Sequence, residues 1–202
     1  MQSWRLPSLA LALLAAAPAS AARNIEIDAR REGAAVEVRA HAEVAVPAAV
    51  VWHVLTDYER LPAFIPGIVK SVVRERHGDT LLVEQSGEAR FLVFSFPIEV
   101  RYEVREQPQQ WVESHAVGGN LKRMNGRYDL EPGAEPLTIR LRYRGLIEPD
   151  FNLPPLVGVV ALRSMVEEQF TAMVAEIERR GAQARTSERA GPAAEPTERA
   201  VK

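Results

Sequence analysis

Residues 156–180 read LVGVVALRSMVEEQFTAMVAEIERR. Within them Val159, Leu162, Val166, Phe170, Met173 and Ile177 follow one another at intervals of 3, 4, 4, 3 and 4, the spacing of one helical face. Glu167, Glu168, Glu176, Glu178 and Arg179 lie mostly off that stripe. The spacing predicts a long amphipathic helix over about 156–180. One apolar stripe of that length needs a broad apolar partner, and the chain upstream supplies it.

Residues 68–148 read as successive strands with turn punctuation at His77-Gly78-Asp79, Pro108 and Pro132-Gly133. Phe94, Phe96, Ile98, Val100, Tyr102 and Val104 share one parity. Pro97 cannot donate to a ladder, so this run is two strands meeting near it or one strand bent there. Met124, Gly126, Tyr128 and Leu130 alternate, as do Ile139, Leu141 and Tyr143. Further upstream, Val36, Val38, Ala40, Ala42 and Val44 alternate with Glu37, Arg39, His41 and Glu43, a half-buried strand. Pro47 then opens a short helix through Leu55. Thr56 and Glu59 have the spacing of a capping box for a second short helix over 58–64. The expected fold is α+β: a curved antiparallel sheet of about six or seven strands wrapped around a long C-terminal helix, with two short helices after the first strand. A sheet curved around one helix seldom closes at both ends, so a cavity between them is the natural by-product.

The ends of the chain read differently. Residues 1–22 have a short start with Arg5, an apolar run over 6–17, then Pro18 and small residues to Ala22. This is the order of a secretory signal peptide, cut after Ala21 or one residue later. Residues 182–202 are mostly Ala, Glu, Arg, Pro, Thr and Ser with a single bulky aliphatic, Val201, and are expected to be a disordered tail. The domain is therefore placed at 24–181. An exported chain without cysteine suits a bacterial periplasm, and that is the expected location.

The order of elements, with VWHVLTDYERLPAFIP at 51–66, resembles the START-like (SRPBCC) helix-grip superfamily. It is most similar to the branch of coenzyme Q-binding proteins and polyketide cyclase/dehydrase relatives. Ser71, residues 119–122, Gly126-Arg127-Tyr128-Asp129-Leu130, Tyr143 and Pro149-Asp150-Phe151 carry the resemblance further, so that it spans residues 36–180. Leu121 stands where the family pattern has an aromatic and Tyr128 where it has a Trp, departures that reshape the cavity wall. The resemblance implies an apolar ligand held under the C-terminal helix.

The chain has 202 residues, a net charge of −2 and no cysteine. The charge excludes an electrostatically driven nucleic-acid binder as the default. The missing cysteine excludes disulfides, thiolate catalysis and cysteine-bound metals. The four histidines have no i, i+4 pair, so no metal site and no cofactor is expected. Glu113 and Glu148 would act as general acid or base only if buried. Arg140, Arg142 and Arg144, extended by Lys122, Arg123 and Arg127, form a basic stripe. It reads as a solvated outer face ahead of a contact for anionic lipid.

The candidate cavity lining comes from three places. The strands offer Phe94, Phe96, Tyr102 and His115, then Met124, Tyr128 and Tyr143. The long helix offers Met165 and Phe170, and the connections offer Phe64 and Phe151. Apolar walls with a few polar tips suit a hydrophobic molecule with one polar end. The expected function is an exported, non-enzymatic binding or carrier protein for a lipid or isoprenoid quinone, with possible transient membrane contact. The alternatives are a cyclase- or dehydratase-type enzyme on a polyketide-like chain, and a protein-interaction module using residues 152–156. Oligomeric state is not set by the sequence.

Overall fold

A computed structural model describes residues 23–91, 94–150 and 155–190. The expected signal peptide at 1–22 lies outside them. Eight strands form one antiparallel sheet: β1 (Arg23–Glu32), β2 (Ala35–Val44), β3 (Ile68–His77), β4 (Thr80–Phe91), β5 (Phe94–Gln107), β6 (Trp111–Gly119), β7 (Leu121–Pro132) and β8 (Ile139–Pro149). Their order across the sheet is β1-β2-β8-β7-β6-β5-β4-β3. The short helix α1 (Ala48–Leu55) and a 3₁₀ helix, Tyr58–Ala63, connect β2 to β3, and the long helix α2 (Pro155–Ala190) follows β8. The fold is the expected α+β helix grip, with an eighth strand.

The additional strand is β1, which pairs with β2 at the sheet edge. Among its described side chains only Ile25, Ile27 and Ala29 turn toward the cores, and charged residues fill most of its other places. Its period-2 signal is too thin to read without knowing its partner. The free edge is partly blunted, since Arg163 on α2 donates to the Ile27 carbonyl at 3.3 Å. Next to it, β2 behaves as its alternation predicts. Val36, Val38, Ala40, Ala42 and Val44 are all buried. Glu37, on the other face, is buried too and accepts from Arg30 and Arg39 at 2.6 and 2.9 Å.

Three local expectations change. Thr56 does not cap the second helix. It ends α1, and its hydroxyl donates back to the Trp52 carbonyl at 2.9 Å. Asp57 takes the N-cap position of the 3₁₀ helix without a side-chain capping bond, because its carboxylate meets Arg180 at 2.8 Å. Pro97 neither ends nor splits β5, which runs unbroken from Phe94. The ring lies opposite Glu88 of β4, and the β6 ladder stops at Val100–Gly119, so on the other side no N–H is required of it. There the Asn120 side chain donates to the Pro97 carbonyl at 2.7 Å.

Lastly, α2 does not stop at Arg180. It continues to Ala190, so the expectation of a disordered tail beginning at 182 is corrected for 182–190. Residues 191–202 lie outside the described part. Ala, Gln and Arg are strong helix formers and extend the helix without an apolar stripe, which is why only the buried part of it was visible as a pattern.

The stripe of α2 meets the concave face of the sheet. Leu162, Val166, Phe170, Met173 and Ile177 are buried and Val159 is half-buried. The helix backbone runs closest to β2 and β1, packs against α1 and touches β4. Between β2 and β4 stand β8, β7, β6 and β5, and the sheet arches over the helix through them. Register shifts in the β3–β4, β5–β6 and β7–β8 ladders mark where strands bend. Two apolar cores result. The larger holds Phe170, Met173, Val174 and Ile177 against β2, α1, β4 and β5. The smaller holds Val36, Val38 and Ile147 against Leu162 and Val166. Met124 and Tyr143 pack against both.

Candidate functional site

The place where the two cores meet is built by β7 and β8. Their register sets Tyr128 directly opposite Tyr143, and Gly126 opposite Gly145, on the face toward α2. The tyrosine rings lie 4.8 Å apart at 40°. From the helix side, Phe170 stacks parallel to Tyr128 at 6.5 Å. Tyr102 on β5 joins them, its hydroxyl donating to Met124 Sδ at 3.1 Å. A Cβ on Gly145 would collide with the Tyr143 hydroxyl, so this glycine is what lets the Tyr143 ring lie down along its own strand.

Several inward side chains here are not fully buried. Leu141 and Val38 on the same face are 0% exposed, as in a solid core. Met124, Tyr128, Tyr143, Leu121 and Ser114 all retain accessible surface although they point toward the helix. Accessible surface on inward positions is what a hollow between sheet and helix would require.

The electrostatics of this space are one-sided. From Val112 to Ala116, Met124 to Leu130 and Ile139 to Ile147, the inward positions carry no ionisable group but Tyr128 and Tyr143. Burial pushes the Tyr143 phenol up to about 12. It pushes Tyr102 and Tyr128 higher still, with the neighbouring phenols adding to the effect. All three are neutral hydrogen-bond donors at physiological pH.

Of the other expected lining residues, Phe96 has the inward parity of β5 and is half-buried. Met165 packs against the smaller core. Phe64 is half-buried at the far end of the larger core, with the Arg180 guanidinium 5.5 Å above its ring. Phe94 opens β5 at a position where only the backbone is described, and Phe151 lies outside the described residues. His115 is a correction. Val112 and Ala116 take the inward parity of β6, so His115 points to the convex face with Trp111 and Glu113. There it lies 3.3 Å from the Asn125 side chain and 3.7 Å from Glu113. Glu148 also faces outward, bonded to Arg123 at 3.0 Å.

The basic stripe is on the convex face as well, and it is largely neutralised. Arg140 donates to Glu43 at 2.6 Å, Arg142 to Glu131 at 3.0 Å and Arg127 to Asp129 at 2.8 Å. Arg127 also lies 4.6 Å over the Trp111 ring. A different charged group ties the C-terminal half of α2 to the sheet connection. Arg180 bridges Glu176 at 2.7 Å and Asp57 at 2.8 Å, and Arg179 adds a second pair of bonds to Glu176.

The residues missed by sequence reasoning are the glycine at 145 and the small-core residues Ile147, Leu162 and Val166 beside it. The last two stood in the helical stripe. Gly145 had no signal of its own, because its role depends on a cross-strand neighbour.

Comparison with known proteins agrees with the geometry. A family model described as polyketide cyclase/dehydrase and lipid transport matches residues 44–174. No curated protein sequence matches. Among solved structures, the ZhuI aromatase/cyclase from Streptomyces sp. R1128 superposes with a TM-score of 0.62 at 16% identity, over 79% of this chain and 99% of that one. A STAR-related lipid transfer protein from Xanthomonas axonopodis gives 0.61 at 14% identity, over 78% and 97%. A START superfamily protein from Mycobacterium smegmatis gives 0.58 at 17% identity, over 73% and 98%. At these identities the likeness is one of fold.

Proposed function

This chain belongs to the polyketide cyclase/dehydrase and lipid transport family, and from that premise we propose an exported, non-enzymatic protein that binds or carries an apolar molecule between its sheet and α2. A lipid or an isoprenoid quinone is the class of ligand. The observation that carries the reading is the accessible surface on inward-pointing Met124, Tyr128 and Tyr143. The driving force is transfer of apolar surface out of water, about 0.8 kcal/mol for each buried methylene. Ten methylenes supply about 8 kcal/mol before the entropy of association is subtracted.

A cyclase or dehydratase would need an acid or base facing the hollow. Glu113, Glu148 and His115 all face away from it, which favours binding over catalysis. The convex arginines are not the surface we assign to membrane exchange, since their carboxylate neighbours already occupy them. Export rests on the signal-like pattern of residues 1–22.

Native mass spectrometry of protein purified from the periplasm, followed by solvent extraction, tests the reading. A bound apolar molecule is the expected result. Repeated preparations that are empty, and that refuse lipids and quinones in titration, overturn it.

A further inference from the structure

The two facing tyrosines of β7 and β8 do more than fill space. Tyr102 has committed its hydroxyl to Met124 Sδ. Tyr128 and Tyr143 have not: among the described residues neither hydroxyl has a hydrogen-bond partner. Among the described residues neither hydroxyl oxygen is a buried atom lacking a partner, so both keep accessible surface and are open to an acceptor from outside the protein. Here two stand together, in a region with no charged side chain on the inward positions of β6, β7 and β8. Glu106, on the inward parity of β5, accepts from Tyr58 at 2.7 Å, and Arg180 on α2 is held by Asp57 and Glu176.

We infer that the hollow selects an uncharged apolar molecule bearing an acceptor oxygen, a ketone or quinone carbonyl, which Tyr128 and Tyr143 bind as donors, and that it rejects ionised carboxylates. The inference deepens the binding reading above and rests on it. A carbonyl accepts one bond from each phenol and satisfies both. A carboxylate would surrender its hydration shell with no cation to replace it. The raised phenol pKa values keep both donors protonated throughout the physiological range. The half-buried side chains of Leu121, Met124 and Leu130 provide apolar surface for the rest of the ligand.

The test compares three probes of one chain length, 2-tridecanone, tridecane and tridecanoate at pH 7.5. Each competes with a naphthylamine fluorophore for the purified, delipidated protein. The ketone is expected to compete roughly tenfold more tightly than the alkane, the yield of one to two net hydrogen bonds. Tridecanoate is expected to compete more weakly than either. Replacing both tyrosines, Tyr128→Phe with Tyr143→Phe, is expected to bring the ketone within about twofold of the alkane. Tyr102→Phe is expected to keep the ketone preference, and thermal melting confirms that each variant is folded. Equal binding of ketone and alkane by the unaltered protein overturns this inference and leaves the binding reading standing. So does a carboxylate as tight as the ketone, or a preference that survives the double substitution. A protein that takes up neither fluorophore nor any probe overturns both.

Discussion

At position 145 a single hydrogen decides where an aromatic ring lies. A methyl group there would meet the Tyr143 hydroxyl and displace the ring from its strand. Gly145→Ala should destabilise the protein by about 1–3 kcal/mol through overpacking, or else lift the ring into the hollow. Urea unfolding reads the first outcome and fluorophore uptake reads the second, and one of the two must change. Glu176 shows the same dependence on neighbours. Its bonds to Arg179, and next those to Arg180, hold its carboxyl near 2 against an ordinary 4.5, although burial opposes them. The folded state therefore binds this proton less readily than the unfolded chain. The stability it contributes is complete above about pH 4.5 and disappears as pH falls toward 2. The ceiling is about 3 kcal/mol, and the exposed Arg179 side chain brings the real figure lower. Denaturation midpoints measured from pH 5 to pH 2 should fall steeply in the unaltered protein and less steeply in Glu176→Gln. Glu178 is the converse case. Burial raises its carboxyl, and its Oε1 is buried without a partner. It destabilises the fold above its own pKa and is harmless below it. Glu178→Gln should gain stability at pH 7 and gain little at pH 4, by the same measurement.

Among the elements, α2 has two distinct parts. Its buried part carries Phe170, which is fully enclosed and stacked on Tyr128. Phe170→Ala should cost about 3–5 kcal/mol in equilibrium unfolding. Beyond Gly181, which packs against Val46, residues 182–187 are all exposed. A chain ending at 181 should melt within about 2 °C of the full protein, while one ending at 175 loses Ile177 and the Glu176–Arg180 pair and should not fold. These two parts also explain what could be read in advance. The helical stripe was legible because five of its six members are buried on one face, and β2 was legible because its buried residues alternate without a break. Where burial is sparse the pattern fades. Among its described side chains β1 turns only Ile25, Ile27 and Ala29 inward, and residues 182–187 of α2 are all exposed. The parity of β6 was misjudged at His115, since Trp111 and Val117 on the convex face balance Val112 and Ala116 on the concave one. Thr56 and Asp57 looked like the start of a helix, and a residue 123 positions later, Arg180, determined what Asp57 does.

For the molecule as a whole, the general arrangement followed from the order of patterns: one long stripe after a series of alternating runs. The tyrosine pair did not, because facing residues on adjacent strands are defined by register, and register is a property of the assembled sheet. If the protein is exported as proposed, N-terminal sequencing of the mature form should begin at Ala22 or Arg23. Retention of Met1 in periplasmic extracts would contradict that part of the proposal.

The bare backbone beneath Tyr143 has one more effect. The Tyr143 ring rests on main chain that carries no Cβ at 145, so it sits closer to the sheet than any side chain there would allow.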